Sequence, residues 1–319
     1  MRKHLLAALS LLFVITAGVW IFRQLSPPTP KLQQVAYELV YMSDRDGDWD
    51  IYLLDGHGDL HNLTDASSAH EYFPGFSFDG DQIRMYSTAS GELTTARVNV
   101  DGSDFKALTL QEAALDVLSG GRIDFDPVWN PGGRQMVWYR VVIGIPPKVD
   151  LFVADSDGTN RVRLTDSEDF EGLHSWSPDG SALVYVAPAA GGYQNTFVIT
   201  LADRTITQLT HDAFDDYHPI YSLEGDQILV ADATGFVNGA LRMTLMNADG
   251  SDPHPLGDGE IFTGSLTFSP NGGDVAYMSN VSGYWHIYLM AADGSNVRQI
   301  TSGAANHLYP SWRPIPLDE

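Results

Sequence analysis

The chain has 319 residues, 41 of them acidic against 18 lysines and arginines, for a net charge of −23, and it contains no cysteine. That balance excludes a nucleic-acid partner, because neutralising phosphate takes a Lys- and Arg-rich surface. The missing thiols exclude disulfides, zinc–thiolate sites and thiol chemistry, so stability must come from buried apolar area, which a chain of this length can supply.

At the N-terminus Arg2 and Lys3 precede an uncharged run from Leu5 to Phe22, closed by Arg23. At about 1.5 Å per residue this run reaches roughly 27 Å, close to the hydrocarbon thickness of a bilayer. A cleavable signal peptide has a shorter apolar core and an A-x-A-like site. Around Ala17 the −3 residue would be Ile15, a poor match. Residues 1–24 are therefore expected to form an uncleaved signal anchor, a single transmembrane helix. The basic residues ahead of it place the rest of the chain on the extracytoplasmic side of the cytoplasmic membrane; cleavage would instead release a secreted protein. The proline-rich stretch within residues 25–34 reads as a stiff stalk.

Next comes SDRDGDWDIYLL (43–54), with aspartates at alternate positions Asp44, Asp46, Asp48 and Asp50. An EF-hand loop alternates carboxylates in this way, but it needs glycine at position six, where Trp49 stands, and a bidentate glutamate at position twelve, where Asp55 stands. The stretch is better explained by its counterpart SNVSGYWHIYLM (279–290), which keeps the glycine, the tryptophan and the Ile-Tyr pair. Asp44, Asp46, Asp48 and Asp50 there become Asn280, Ser282, Tyr284 and His286. What the two share is what a β-hairpin connection needs, so calcium is set aside.

The counterpart belongs to a repeat. Five copies of one phrase occur, FPGFSFDG (73–80), DPVWNPGG (126–133), LHSWSPDG (173–180), HPIYSLEG (218–225) and SLTFSPNG (265–272), and YPSWRP (309–314) is a truncated sixth. Their aromatic anchors Phe76, Trp129, Trp176, Tyr221, Phe268 and Trp312 are 53, 47, 45, 47 and 44 residues apart, a period that marks a propeller or solenoid. Each unit continues with an apolar run such as ALVYV (182–186), a loop, and a second run such as HIYLM (286–290). An Asp-Gly turn and a short strand ending in Leu-Thr or Ile-Thr complete it. Runs of four to six β-branched and aromatic residues bounded by turn chemistry are strands, and four per unit make antiparallel blades. The acidity has a local source in these Asp-Gly turns, where aspartate bonds its own backbone. Residues 110–124 account for the long first spacing and read as an inserted surface loop with a helical turn or two.

The first unit, AYELVYMS (36–43), lacks the turn phrase ahead of it, whereas residues 308–314 are a first strand with nothing following. Together they complete one blade and close the ring, which removes the exposed edges. The expectation is an all-β, six-bladed β-propeller over residues 35–315, preceded by one N-terminal transmembrane helix. Its units begin near 35, 73, 126, 173, 218 and 265, and the propeller itself is expected to be monomeric.

The repeated W-S-P-D-G phrase (Trp176 to Gly180), I-Y-L-M before A-D-G-S (Ile287 to Ser295) and the terminal Leu-Thr resemble the TolB-type β-propeller repeat family over residues 35–315. The resemblance implies the fold and says little about activity. TolB itself carries an α/β domain ahead of its propeller; here an apolar segment and stalk precede the first unit, so the translocation role is not carried over. The related covering domain of prolyl-oligopeptidase-type peptidases accompanies a G-x-S-x-G nucleophile, which this sequence lacks, and no serine peptidase is expected.

Two candidate sites follow from repeat equivalence. Three residues ahead of the proline position stand Glu71, Asp124, Glu171, Asp216, Thr263 and His307, a ring expected near one mouth of the central channel, with His70, His174 and His218 close by. Carboxylates and imidazoles are the ingredients of a divalent-cation site, with His174, His218 and His307 as metal ligands. Similar propeller lyases acting on oligogalacturonate hold a metal with channel histidines. The bland alternative is that these groups cap loops and line water. The second site is aromatic. Trp49, Tyr193, Tyr284 and Trp285 lie in loops on the same face, where they could stack on a sugar or a basic peptide, although Trp49 and Trp285 are repeat-equivalent and would equally serve as packing. The expected function is a protein- or glycan-binding module. The alternative is a metal-assisted lyase or hydrolase acting on an acidic glycan, which a protein of this charge would repel unless a cation intervened.

Overall fold

The computed structural model describes residues 35–315, apart from 36, 66–67, 78, 92, 108–121, 143–147, 156–158, 167–170, 234–240 and 258–264. The expected anchor, the stalk and most of the inserted loop lie outside the described residues. Among those described, no helix is long and apolar enough to cross a membrane.

Among the described residues, twenty-four strands form six four-stranded antiparallel blades. Blade 1 takes β1 (Leu39–Ser43), β2 (Asp50–Leu54) and β3 (Leu60–Asn62) from one end of the chain and β24 (His307–Trp312) from the other. Blade 2 comprises β4 (Glu71–Phe76), β5 (Gln82–Ser87), β6 (Thr94–Asn99) and β7 (Lys106–Ala107). Blade 3 comprises β8 (Arg122–Trp129), β9 (Gln135–Val142), β10 (Lys148–Asp155) and β11 (Val162–Arg163). Blade 4 comprises β12 (Gly172–Trp176), β13 (Ala182–Pro188), β14 (Gln194–Thr200) and β15 (Ile206–Gln208). Blade 5 comprises β16 (Asp216–Tyr221), β17 (Gln227–Asp232), β18 (Arg242–Asn247) and β19 (His254–Pro255). Blade 6 comprises β20 (Leu266–Phe268), β21 (Asp274–Ser279), β22 (His286–Ala291) and β23 (Arg298–Gln299). The expected closure is present: β24 pairs β1 antiparallel, with Leu39 opposite Trp312 and Ser43 opposite His307.

The repeated phrases do identifiable work. In the Ser-Pro-Asp-Gly turn Ser177 Oγ donates to Asp179 Oδ1 at 2.7 Å and accepts the Ala182 N–H at 2.9 Å, and Gly180 takes φ +71. Ser77 with Asp79 and Ser269 with Asn271 repeat the arrangement. In the Leu-Thr phrase the leucine enters the core and the threonine caps the third strand. Thr64 Oγ1 accepts the Ile51 N–H, Thr165 that of Leu151, Thr210 that of Thr196 and Thr301 that of Ile287. Asp101, Asp249 and Asp293 bond Ser103, Ser251 and Ser295, which holds their carboxyls below the usual range. Much of the acidity is therefore turn chemistry.

The core lies between blades. One cluster joins blades 1, 2 and 6 around Tyr41, Ile83 and Ile287; others join blades 5 and 6, 3 and 4, and 4 and 5. Tight turns fit against these seams. A Cβ on Gly294, whose φ is +83, would lie 2.6 Å from the Gly257 nitrogen. Left-handed backbone costs an L-residue about 1–2 kcal/mol and overpacking about 1–3 kcal/mol, so Gly294→Ala should cost about 3 kcal/mol in urea unfolding. Gly283, at φ +99 with nothing within 4 Å of a built Cβ, is the control. Gly283→Ala should cost only the backbone share, and equal losses would show that contact across this seam is slack.

Candidate functional site

The hairpin between β1 and β2 spends its aspartates separately. Asp44 accepts the Asn306 N–H at 2.7 Å and its Nδ2 at 2.9 Å, Asp46 accepts from the Tyr52 hydroxyl, and Asp50 accepts from Asn62 and Thr64. These three carboxylates are engaged by different neighbours.

Of the residues expected in a ring, Glu71, Asp216 and His307 are the first residues of β4, β16 and β24, and Glu171 directly precedes β12; Thr263 lies outside the described residues. Glu71, Glu171, Asp216 and His307 are all buried; Asp124 is the third residue of β8, opposite Arg140 in register. Ser87 Oγ donates to Glu71 Oε1 at 2.8 Å. Asp216 Oδ2 accepts the hydroxyls of Thr196 and Thr210, both from the preceding blade, at 2.6 Å each. Burial pushes the Asp216 carboxyl up to about 6 against those two bonds, with Asp212 and Asp232 adding to the effect. Burial likewise raises Asp50, which Asn62 and Thr64 partly offset. At three seams the start of one inner strand meets the start of the third strand of the blade before: Glu71 N–H donates to Trp49 O, Glu171 N–H to Val149 O and His307 N–H to Trp285 O.

The histidines are placed differently from one another. His174 is buried at the position that proline fills elsewhere in the repeat. His218 is half-buried, and desolvation lowers its imidazole to about 4. His307 stacks on His286, ring centroids 5.3 Å apart at 26°. Among the described residues, no three His, Asp or Glu side chains come together to hold a metal ion.

His286, paired with His307, was not singled out from the sequence, although it stands opposite Asp50 in the repeat alignment. Nor was an inner-strand bulge. Phe73, His218 and Tyr309, each directly before proline, have φ of 55°, 48° and 54°, and the pairing register slips at the same point in β4, β16 and β24. Proline disfavours the α region for the residue before it, and a left-handed bulky residue is an outlier. The signal was a proline inside a strand pattern, which belongs at a bulge. The bulge brings Phe73 and Tyr309 of adjacent blades edge to face at 4.6 Å, continuous with Tyr72, Tyr86 and Trp49. Trp49 is buried, and Trp285 is half-buried against the same core cluster. Tyr193 and Tyr284 are exposed.

No family model matches the chain. It is 26% identical over 280 residues to a TolB homologue of Chlorobium luteolum, covering 87% of this chain and 60% of that protein. An uncharacterised protein of Agrobacterium fabrum is 27% identical over 159 residues, 47% of this chain and 53% of that one. The crystal structure of TolB from Acinetobacter baumannii superposes with a TM-score of 0.66 at 16% identity, over 90% of this chain and 68% of that one. The chain has the fold of a TolB-type β-propeller. The putative TolB from Agrobacterium tumefaciens matches the propeller with a TM-score of 0.62 at 17% identity, covering 88% of this chain and 99% of that one. The chain thus spans between half and two thirds of the length of the curated relatives it matches.

Proposed function

We propose that this TolB-type propeller is a membrane-anchored, extracytoplasmic module that binds a protein partner on one face. The carrying observation is where the exposed apolar side chains stand. Within a blade the connection from second to third strand, and the connection leading to the next blade, open on the same face. Leu93, Tyr193, Phe214, Val281 and Tyr284 occupy these connections in blades 2, 4, 5 and 6 and are all exposed. An apolar set spread round one rim, in a protein of net charge −23, suits a partner that is apolar at the contact and basic around it. The apolar run behind Arg2 and Lys3 supports the anchor.

The test is a photo-crosslinking residue placed at Tyr284 or Phe214, with Leu223 and Val297, exposed at strand connections of the opposite face, as controls. A discrete protein adduct from the first pair alone is expected in membranes from expressing cells. Adducts equally frequent from all four positions would remove the reading. An adduct abolished by glycosidase would make the partner a glycan.

A further inference from the structure

In every blade the fourth strand is the outer edge, paired with the third strand on one side only. A free sheet edge is a template for another strand, and proteins ordinarily blunt it with a charge or a proline. Five of the six outer strands are blunted in this way: β3 carries His61 beside Asp55, β7 carries Lys106, β11 Arg163, β19 Pro255 and β23 Arg298. β15, Ile206-Thr207-Gln208, carries neither device. Its three residues are matched only by β3, the other four outer strands having two each.

The direction of the β15 backbone follows from its pairing. Thr200 N–H donates to Thr205 O at 3.0 Å and Leu209 N–H to Thr196 O at 2.8 Å, so the odd-numbered positions here bond inward to blade 4. Bonding alternates along an antiparallel ladder, which turns the N–H and C=O of Ile206 and Gln208 outward. The side chains add a second feature. Ile206 is 50% exposed, yet it stands opposite Ile199, which is fully buried in the cluster between blades 3 and 4, with Leu201 packed on the same cluster. The edge therefore offers two backbone donors, two acceptors and an apolar step onto an existing core.

We propose that the outer edge of blade 4 is a strand-addition site, where an extended partner segment of β-branched residues flanked by basic ones lies beside β15 as a fifth strand. The backbone of such a segment continues the ladder at Ile206 and Gln208, and a β-branched side chain laid beside Ile206 extends the cluster of Ile199 and Leu201. Basic flanks answer the field of a protein with net charge −23. A second copy of the chain fits less well. It sets −23 against −23, and two rings touching along so short an edge bury far less than the roughly 1,200–2,000 Å² of a specific interface. The edge is on the circumference of the ring, apart from Phe214 and Tyr284, so either surface can exist without the other.

The experiment is fluorescence anisotropy of a labelled Lys-Thr-Val-Thr-Val-Thr-Lys peptide titrated with the full chain. Saturable binding is expected. It should weaken about tenfold in Ile206→Pro, which removes one outward N–H and keeps the inward pairing, and at least as much in Ile206→Lys. Tyr284→Ser should bind the peptide as the wild type does, which separates this edge from the rim. Peptides N-methylated at alternate amides test the ladder on the wild-type protein: methylation along one edge of the peptide should abolish binding, and along the other should leave it. No saturable binding up to about 1 mM protein, wild-type binding by both Ile206 variants, or equal loss from both methylated edges would overturn the site. So would a concentration-dependent dimer in sedimentation velocity that both Ile206 variants abolish, since the occupant would then be a second copy.

Discussion

Deleting residues 307–319 should abolish the cooperative unfolding transition. The deletion removes β24, and with it the buried side chains of Leu308 and Trp312 and the pairing along one edge of β1. Truncating a buried leucine costs about 2–5 kcal/mol and a buried tryptophan about 3–5 kcal/mol. The sum approaches the roughly 5–15 kcal/mol that holds a typical domain together. The Arg313 pair with Glu38 and the Trp312 Nε1 bond to Thr267 O are lost as well. Urea unfolding followed by near-ultraviolet circular dichroism reads the result. A shortened chain that retained a sharp transition would show that five blades hold without the closing strand.

The second large effect belongs to Trp176. Its ring lies in the cluster between blades 3 and 4, with Val137, Leu151, Leu183 and Ile199, and its Nε1 donates to Val128 O at 2.9 Å across to blade 3. Trp176→Ala removes the ring and leaves that carbonyl to be satisfied by water, which predicts a loss of about 4 kcal/mol. For a domain of this size that is a fall of roughly 10 °C in midpoint. Trp176→Phe keeps most of the apolar contact and loses the bond, so it should recover well over half of the loss. If both variants fall equally, the bond to Val128 matters more than the packing, and the seam is held chiefly by polar contacts.

Much of the fold was legible in the sequence because its blades are joined by turns with fixed chemistry. Ser-Pro-Asp-Gly and Asp-Gly need particular side chains at particular φ values, and Gly180, Gly272 and Gly294 supply them. The Leu-Thr phrase recurs because one residue fills a seam while the next caps a strand. The split blade could be read from two half-phrases at opposite ends. The candidate site was less legible. Repeat equivalence brought Glu71, Glu171, Asp216 and His307 to corresponding places, but it cannot say to which side of the inner strand they turn. The bulge at Phe73, His218 and Tyr309 resets the alternation there, and the strand-head residues end up in the seams. His286 escaped notice because its importance lies in a neighbour 21 positions away in sequence, on the next blade.

The split blade also sets a clock. One edge of β1 pairs with β2, but the other finds its partner only in β24, with Ser43 opposite His307 and Leu39 opposite Trp312, so the first strands to be synthesised wait for the last. Pairings between such distant residues form slowly, since the entropy of closing the loop is lost before any contact compensates for it. At about 5–20 residues per second, the N-terminal strands leave the ribosome many seconds before β24 does. During that interval β1 presents an open edge rich in buried-type side chains, Leu39, Val40, Tyr41 and Met42. The open edge of β1 is consequently a natural site for a holding chaperone until the final strand arrives.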